Sequence, residues 1–263
     1  MNTKFKTIRL IEDSGVAIIT LNRPEKRNAI SFELVAEVMA ALQEAETSDA
    51  QVLIFTGAGK AFCAGLDLDT LKALVGKSHE ENLQDSATMA GLFRRIYEFP
   101  KATIAAVNGA AIAGGTGIAT MCDFTLAVPE AKFGYTEVRI GFVPAIVSSF
   151  LVMQVGHKVA RDLLLTGRLF DAAEARRFRL VNEIISPPEE LMPRARQLAA
   201  QIMENSPSSV RATKRLVNGF IREQLDRQTA EAIEDNARIR TTADFREGIS
   251  AFLEKRKPKW TAK

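Results

Sequence analysis

The sequence predicts an α/β fold that gives way to an all-helical C-terminal region. Three observations carry this. Short apolar runs rich in β-branched residues alternate with helical stretches early in the chain, as in parallel βαβ units. Several of those runs end in glycine-rich turns. Beyond about Arg161 the pattern becomes helical almost throughout. The organisation expected is an α/β core over residues 1–195 and a helical region over 196–263. With 46% hydrophobic and 25% charged residues, the chain has the composition of a globular protein, not a disordered one.

The elements follow in order. Ile8–Ile11 and Val16–Leu21 alternate around Ser14-Gly15 and predict a hairpin. Asn22 to Asn28 is a polar loop turned by Pro24. Ser31 caps a helix over Phe32–Thr47, with Leu34, Val35, Val38, Met39 and Leu42 on one face. Gln51–Thr56 reads as a buried strand. The chain becomes helical near Asp67. Gly76–Asp85 is polar without periodicity and reads as a mobile loop. Ala87–Glu98 is a helix stopped before Pro100. Thr103–Val107 is a strand, a buried helix ends at Met121, and Phe124–Val128 is a further strand. Helices are then expected over Asp162–Leu165, Ala172–Phe178, Pro188–Glu204, Ser208–Arg240 and Ala243–Glu254, with caps at Asp171, Ser208 and Thr242.

Several chemistries find little support. Cys63 and Cys122 form no CxxC and read as buried thiols. The two histidines, His79 and His157, lie in no metal-binding motif and read as solvated, so no metal site is expected. Gly57-Ala58-Gly59-Lys60 fails as a phosphate loop: Ile54 stands at the upstream glycine position and Ala61 follows the lysine. Neither Gly57 nor Gly115 completes GxGxxG. A net charge of +3 is too small to suggest nucleic acid by itself. No apolar run approaches the ~20 residues that span a bilayer. Met1-Asn2-Thr3-Lys4 does not open a leader peptide, and a cytoplasmic protein is expected.

What remains points to carboxylates and backbone groups. Two loops pass through glycine into a helix: Phe62 to Leu68, and Gly109 to Gly117. Such turns leave free N–H groups at a helix start, where negative charge is favoured. Two of them converging would hold a developing oxyanion, while tight helix–strand packing would use the same small residues.

Six blocks carry a resemblance. Leu21 to Ala29, Gly59 to Leu68, Val107 to Asp123, Phe133 to Glu137, Leu164 to Gly167 and Phe252 to Lys257 closely resemble, in family order, the enoyl-CoA hydratase/isomerase (crotonase) superfamily. The resemblance spans essentially the whole chain. It implies a spiral of ββα units followed by a helical trimerisation region, and a homotrimer or homohexamer. It implies acyl-CoA thioester substrates, with coenzyme A entering as part of the substrate and no separate cofactor. By motif match, the N–H groups of Leu66 and Gly114 polarise the thioester carbonyl. The coenzyme A site maps to Lys26, Arg27, Ala29, Ala64, Asp67 and Leu68, with Phe252 and Lys255 in the tail. Lys60 is a further candidate for the phosphates. Tyr135 is a candidate for the acyl pocket, Asp123 for a turn or cap, and Arg139 for an ion pair with a carboxylate of the substrate or of the protein.

One departure bears on the reaction. Two-glutamate hydratases carry a glutamate three residues after the oxyanion glycine, and here that residue is Gly117. The other glutamate matches Glu137. A buried glutamate works as a base near neutral pH. One carboxylate suffices to move a double bond. It also suffices for hydration if backbone groups orient the water. The stretch Val138 to Ser148 resembles hydratases acting on branched or dicarboxylic enoyl-CoAs and favours hydration; Gly117 favours Δ3–Δ2 isomerisation. A thioesterase or decarboxylase would use the same oxyanion site. A non-catalytic coenzyme A- or RNA-binding role has only the basic tail Lys255 to Lys259 behind it.

Overall fold

The computed structural model describes residues 5–261. Met1–Lys4, on which the expectation of no leader peptide rests, lie outside the described residues. The elements are, in chain order, β1 (Ile8–Asp13), β2 (Val16–Leu21), α1 (Phe32–Thr47), β3 (Val52–Gly57), β4 (Ala61–Cys63), α2 (Leu68–Leu74), α3 (His79–Tyr97), β5 (Ala102–Val107), β6 (Ala110–Ile112), α4 (Gly114–Met121), β7 (Phe124–Ala127), β8 (Lys132–Gly134), α5 (Ala145–Thr166), β9 (Phe170–Asp171), α6 (Ala172–Arg177), β10 (Glu183–Ile184), α7 (Leu191–Met203), α8 (Pro207–Gly219), α9 (Arg222–Ile239) and α10 (Ala243–Leu253).

From β3 to β8, successive strands go alternately to two sheets. One has the order β1-β2-β3-β5-β7-β10, parallel from β2 onward; the other runs β4-β6-β8-β9, parallel through β8. Each passage, β3-β4-α2 and then β5-β6-α4, therefore climbs one strand in both sheets at once. This is the spiral of ββα turns. The strands of the larger sheet read as near-continuous apolar runs because helices cover them. All six residues of β5 are buried. One apolar core runs from the hairpin through α1, α3 and α5 to Leu225 of α9.

Local chemistry explains most boundaries. The β1–β2 turn places both Ser14 and Gly15 at positive φ, 52° and 77°, matching the strand twist. Ser31 accepts from the Leu34 N–H at the start of α1. Asp171 and Thr242 cap α6 and α10, as expected.

Three expectations need correction. Gly76–Asp85 is not a loop: α3 starts at His79, fixed by a reciprocal capping box in which Ser78 and Glu81 satisfy each other's N–H groups. The helix expected over Ser208–Arg240 is two helices, broken between Gly219 and Arg222, and its cap is Ser206 with Pro207 at the first helical position, not Ser208. Asp162–Leu165 is the end of the longer α5, which bends at Gly156, where φ is 74°. His79 and His157 are exposed, as expected, and His79 lies 3.2 Å from Glu234. Among the described residues no helix is long and apolar enough to cross a membrane.

Candidate active site

The two glycine loops meet. After β4, Ala64-Gly65-Leu66 turns through Gly65 at φ 85° into Asp67, which caps α2. The Ile30 N–H donates to the Gly65 carbonyl at 2.7 Å, and the Asp67 N–H donates to the Ile30 carbonyl at 3.0 Å. Those bonds flank Leu66 and leave its own N–H without an acceptor among the described residues. After β6, Ala113 holds φ 50° and ψ −119°, a strained conformation for a residue with a Cβ. Its N–H donates to Gly134 at 2.7 Å, and Gly114 begins α4 with its N–H likewise unused among the described residues. A Cβ added at Gly65 would lie 3.2 Å from the Ala113 Cβ, so the loops are in contact. Leu66 and Gly114 both line one cleft of about 840 Å³, counted with its open mouth.

Glu137 lines the same cleft. It begins a 3-10 turn, Glu137–Ile140, that follows β8. The residue is half-buried, but its Oε2 atom is sealed from solvent with no hydrogen-bond partner. Burial among Phe142, Val143, Pro144 and Ile146 raises its pKa from an ordinary 4.5 to about 7, opposed only by its own backbone N–H. The position three residues beyond Gly114 is closed. A Cβ at Gly117 would lie 2.8 Å from the Phe93 ring and 2.9 Å from the Val147 Cγ1. No second carboxylate fits there without moving the cleft wall.

The remaining candidates divide between exposed and buried positions. Lys26 is exposed and ion-pairs with Asp69 at 3.0 Å. Arg27, at φ 53°, is exposed and its carbonyl accepts from the Ala64 N–H at 3.1 Å. The Asn28 amide ties this loop to the Ala58 and Ala61 carbonyls, at 2.9 and 2.7 Å, beside the exposed Lys60. Ala29 is buried and Leu68 is exposed. Ala64 and Phe252 line the cleft, Phe252 from the exposed end of α10. Lys255 follows in the tail, exposed, at φ 56°.

Asp67 points into the fold. It accepts from the Thr70 N–H at 2.7 Å and from Arg23 Nη2 at 2.9 Å, and it does not line the cleft. Burial raises its pKa, but these bonds outweigh that and hold it below 3.8. Tyr135, expected at the acyl pocket, is sealed in the core with its hydroxyl 3.3 Å from Thr120. Arg139 is exposed and has no ion pair among the described residues, so the carboxylate partner expected within the protein is not found there. Asp123 is structural, as expected: it accepts from the Thr103 N–H and hydroxyl and from Lys214. Sequence reasoning missed Arg240 in the wall, since a charged residue in a helix gives no distinguishing signal.

A parallel spiral with two unused amides and a buried carboxyl oxygen in one cleft is the class of fold and site that the structure defines. Comparison with known proteins makes this specific. A profile of the enoyl-CoA hydratase/isomerase family matches residues 12–263, and the chain belongs to that family. A Thermus thermophilus protein provisionally named enoyl-CoA hydratase is 45% identical, over 95% of this chain and 99% of its own. A crotonyl-CoA hydratase from Syntrophomonas wolfei is 34% identical, over 98% and 99%. The solved structure of an enoyl-CoA hydratase/isomerase from Xanthobacter autotrophicus Py2 superposes with a TM-score of 0.88 at 31% identity, over 98% of this chain and all of the other.

Proposed function

We propose that this protein hydrates enoyl-CoA thioesters with Glu137 as its single acid–base group and the Leu66 and Gly114 amides as its oxyanion hole. One observation carries the proposal: an isolated carboxyl whose pKa is near 7 lines the same cleft as two unused N–H groups. The Glu137 carboxylate takes a proton from water as the oxygen attacks C3 of the 2-enoyl thioester. Negative charge moves to the thioester oxygen, where each amide donor contributes about 2.7–4 kcal/mol. The Glu137 acid then returns the proton to C2. Water is added across the double bond and the enzyme is restored. Lys26, Arg27 and Lys60 at the mouth meet the phosphates of coenzyme A, with Phe252 and Lys255 from the tail.

Gly117 favours a second reading, Δ3–Δ2 isomerisation, because that site is filled by Phe93 and Val147. One carboxyl that removes a proton and returns it two carbons away is enough for that reaction. Wild type and Glu137→Gln on crotonyl-CoA and on a 3-enoyl-CoA, followed by absorbance of the conjugated thioester, separate the two. Hydration of crotonyl-CoA that falls at least ~100-fold in the variant supports the hydratase, that being the minimum expected for loss of a general acid–base group. Response to the 3-enoyl substrate alone identifies an isomerase. Equal rates for both proteins would remove Glu137 from the mechanism.

A further inference from the structure

Besides Glu137, Arg240 is the one charged residue that lines the cleft among the described residues, and the proposed reaction does not use it. Its side chain is 3% exposed, at the C-terminal end of α9. It lines the cleft that holds Glu137 and also a second, largely apolar hollow between α1 and α3, of about 630 Å³ with its opening. Leu66 and Met89 are the other two residues common to both walls. The two hollows therefore lie on either side of a shared wall made by Leu66, Met89 and the Arg240 guanidinium.

The protein neutralises that guanidinium poorly. Nη2 donates to Asn236 Oδ1 at 2.7 Å, while Nη1 reaches Asn82 Oδ1 only at 3.5 Å. The Nε–H is buried with no partner among the described residues. Among the described residues the carboxylate paired with it is Asp85, 3.7 Å away, and Asp85 already receives Lys77 at 2.5 Å. Arg240 thus shares its one carboxylate with a second cation. The Phe142 ring, 5.2 Å from the guanidinium carbon, supports one face without cancelling that charge. Burial lowers the guanidinium to about 10, still charged at neutral pH. A cation held dry with an open donor is costly unless an anion completes it. A guanidinium is suited to a carboxylate, which it grips through two parallel bonds.

We propose that Arg240 receives the far carboxylate of the acyl group, so that the preferred ligands are coenzyme A monothioesters of dicarboxylic acids. This rests on the hydratase reading only for the end of the ligand that faces Glu137. A role confined to tying α9 to α3 would use the same asparagines, but would leave affinity indifferent to charge at the acyl terminus.

Calorimetric binding of glutaryl-CoA and pentanoyl-CoA tests this without turnover, the two differing in a terminal carboxylate against a methyl. In wild type glutaryl-CoA should bind at least ~10-fold tighter. In Arg240→Met that preference should vanish or invert, and Arg240→Lys should keep part of it. A purely structural role would weaken both ligands alike and preserve their ratio. Equal binding in wild type, or an unchanged ratio in the variant, overturns the proposal. If Arg240→Met does not fold, the wild-type ratio and Arg240→Lys decide it. Preference for glutaryl-CoA in a protein that hydrates no enoyl-CoA would overturn only the reaction assigned above. Hydration of crotonyl-CoA without the preference would overturn only this inference.

Discussion

The carboxyl of Glu137 links the chemistry of the cleft to the stability of the fold. Its pKa near 7 lies well above the ordinary 4.5 because burial disfavours the charged form. As a base it acts only when ionised, so kcat/KM for hydration should rise with pH and level off above about 7; a profile flat from pH 5 to 8 would exclude it. The same shift has a stability consequence of fixed sign. Between pH 4.5 and 7 the folded protein keeps a proton that the unfolded chain has lost, so this stabilisation is present below 4.5 and is gone above 7. Glutamine is neutral throughout. The melting temperature of Glu137→Gln relative to wild type should therefore climb by several degrees from pH 5 to pH 8. Glu137 was legible in the sequence only through the block Phe133 to Glu137, since an isolated glutamate in a polar-looking turn carries no mark of burial. Arg240 was not legible, because a charge at the end of a helical stretch usually faces water. Tyr135 was misplaced for the same reason in reverse: a tyrosine beside a catalytic block can serve the core as well as the pocket.

At the scale of elements, the site depends on how two short turns are held. Leu66 is aimed by its neighbours: Asp67 caps α2 and grips Arg23, whose Nη1 also donates to the Ala29 carbonyl at 2.6 Å. Arg23 and Asp67 are both largely buried, so removing the acid leaves a cation without its partner. Asp67→Ala should cost about 3 kcal/mol in urea unfolding, and it should lower kcat as the Leu66 amide loses its fixed position. A loss under about 1 kcal/mol, the scale of an isolated cap, would show that Arg23 finds other partners. The strands of the larger sheet from β1 to β7 and the amphipathic helix α1 were legible, because burial imposes a pattern on the sequence; the two- and three-residue strands of the second sheet are too short to carry one. The start of α3 was not read, although Ser78 and Glu81 hold the spacing of a capping box, because the polar residues of its first turns carry no apolar stripe. The break at Gly219 was missed because an isolated glycine inside a helical stretch is a weak stop signal.

At the scale of the whole molecule, the spiral places its helical C-terminal part where two functions meet. Helix α9 packs along α3 and α5 and brings Asn236 and Arg240 into the cleft wall, while α10 brings Phe252. The same region leaves Leu216, Val217 and Phe220 exposed around the end of α8, with Leu165 and Leu169 exposed near the end of α5. Large apolar side chains gathered in this way are a liability for a lone chain in water. The occupant we propose is further copies of this chain, the homotrimer or homohexamer that the sequence resemblance implies. Light scattering at micromolar concentration should give the mass of three or six chains, and Leu216→Asp with Phe220→Asp should lower it. Because Phe252 and Lys255 lie in this same helical region, dissociation should also weaken coenzyme A thioester binding. A 28.9 kDa particle with full activity would mean that the cleft is complete within one chain and that the exposed side chains serve another surface.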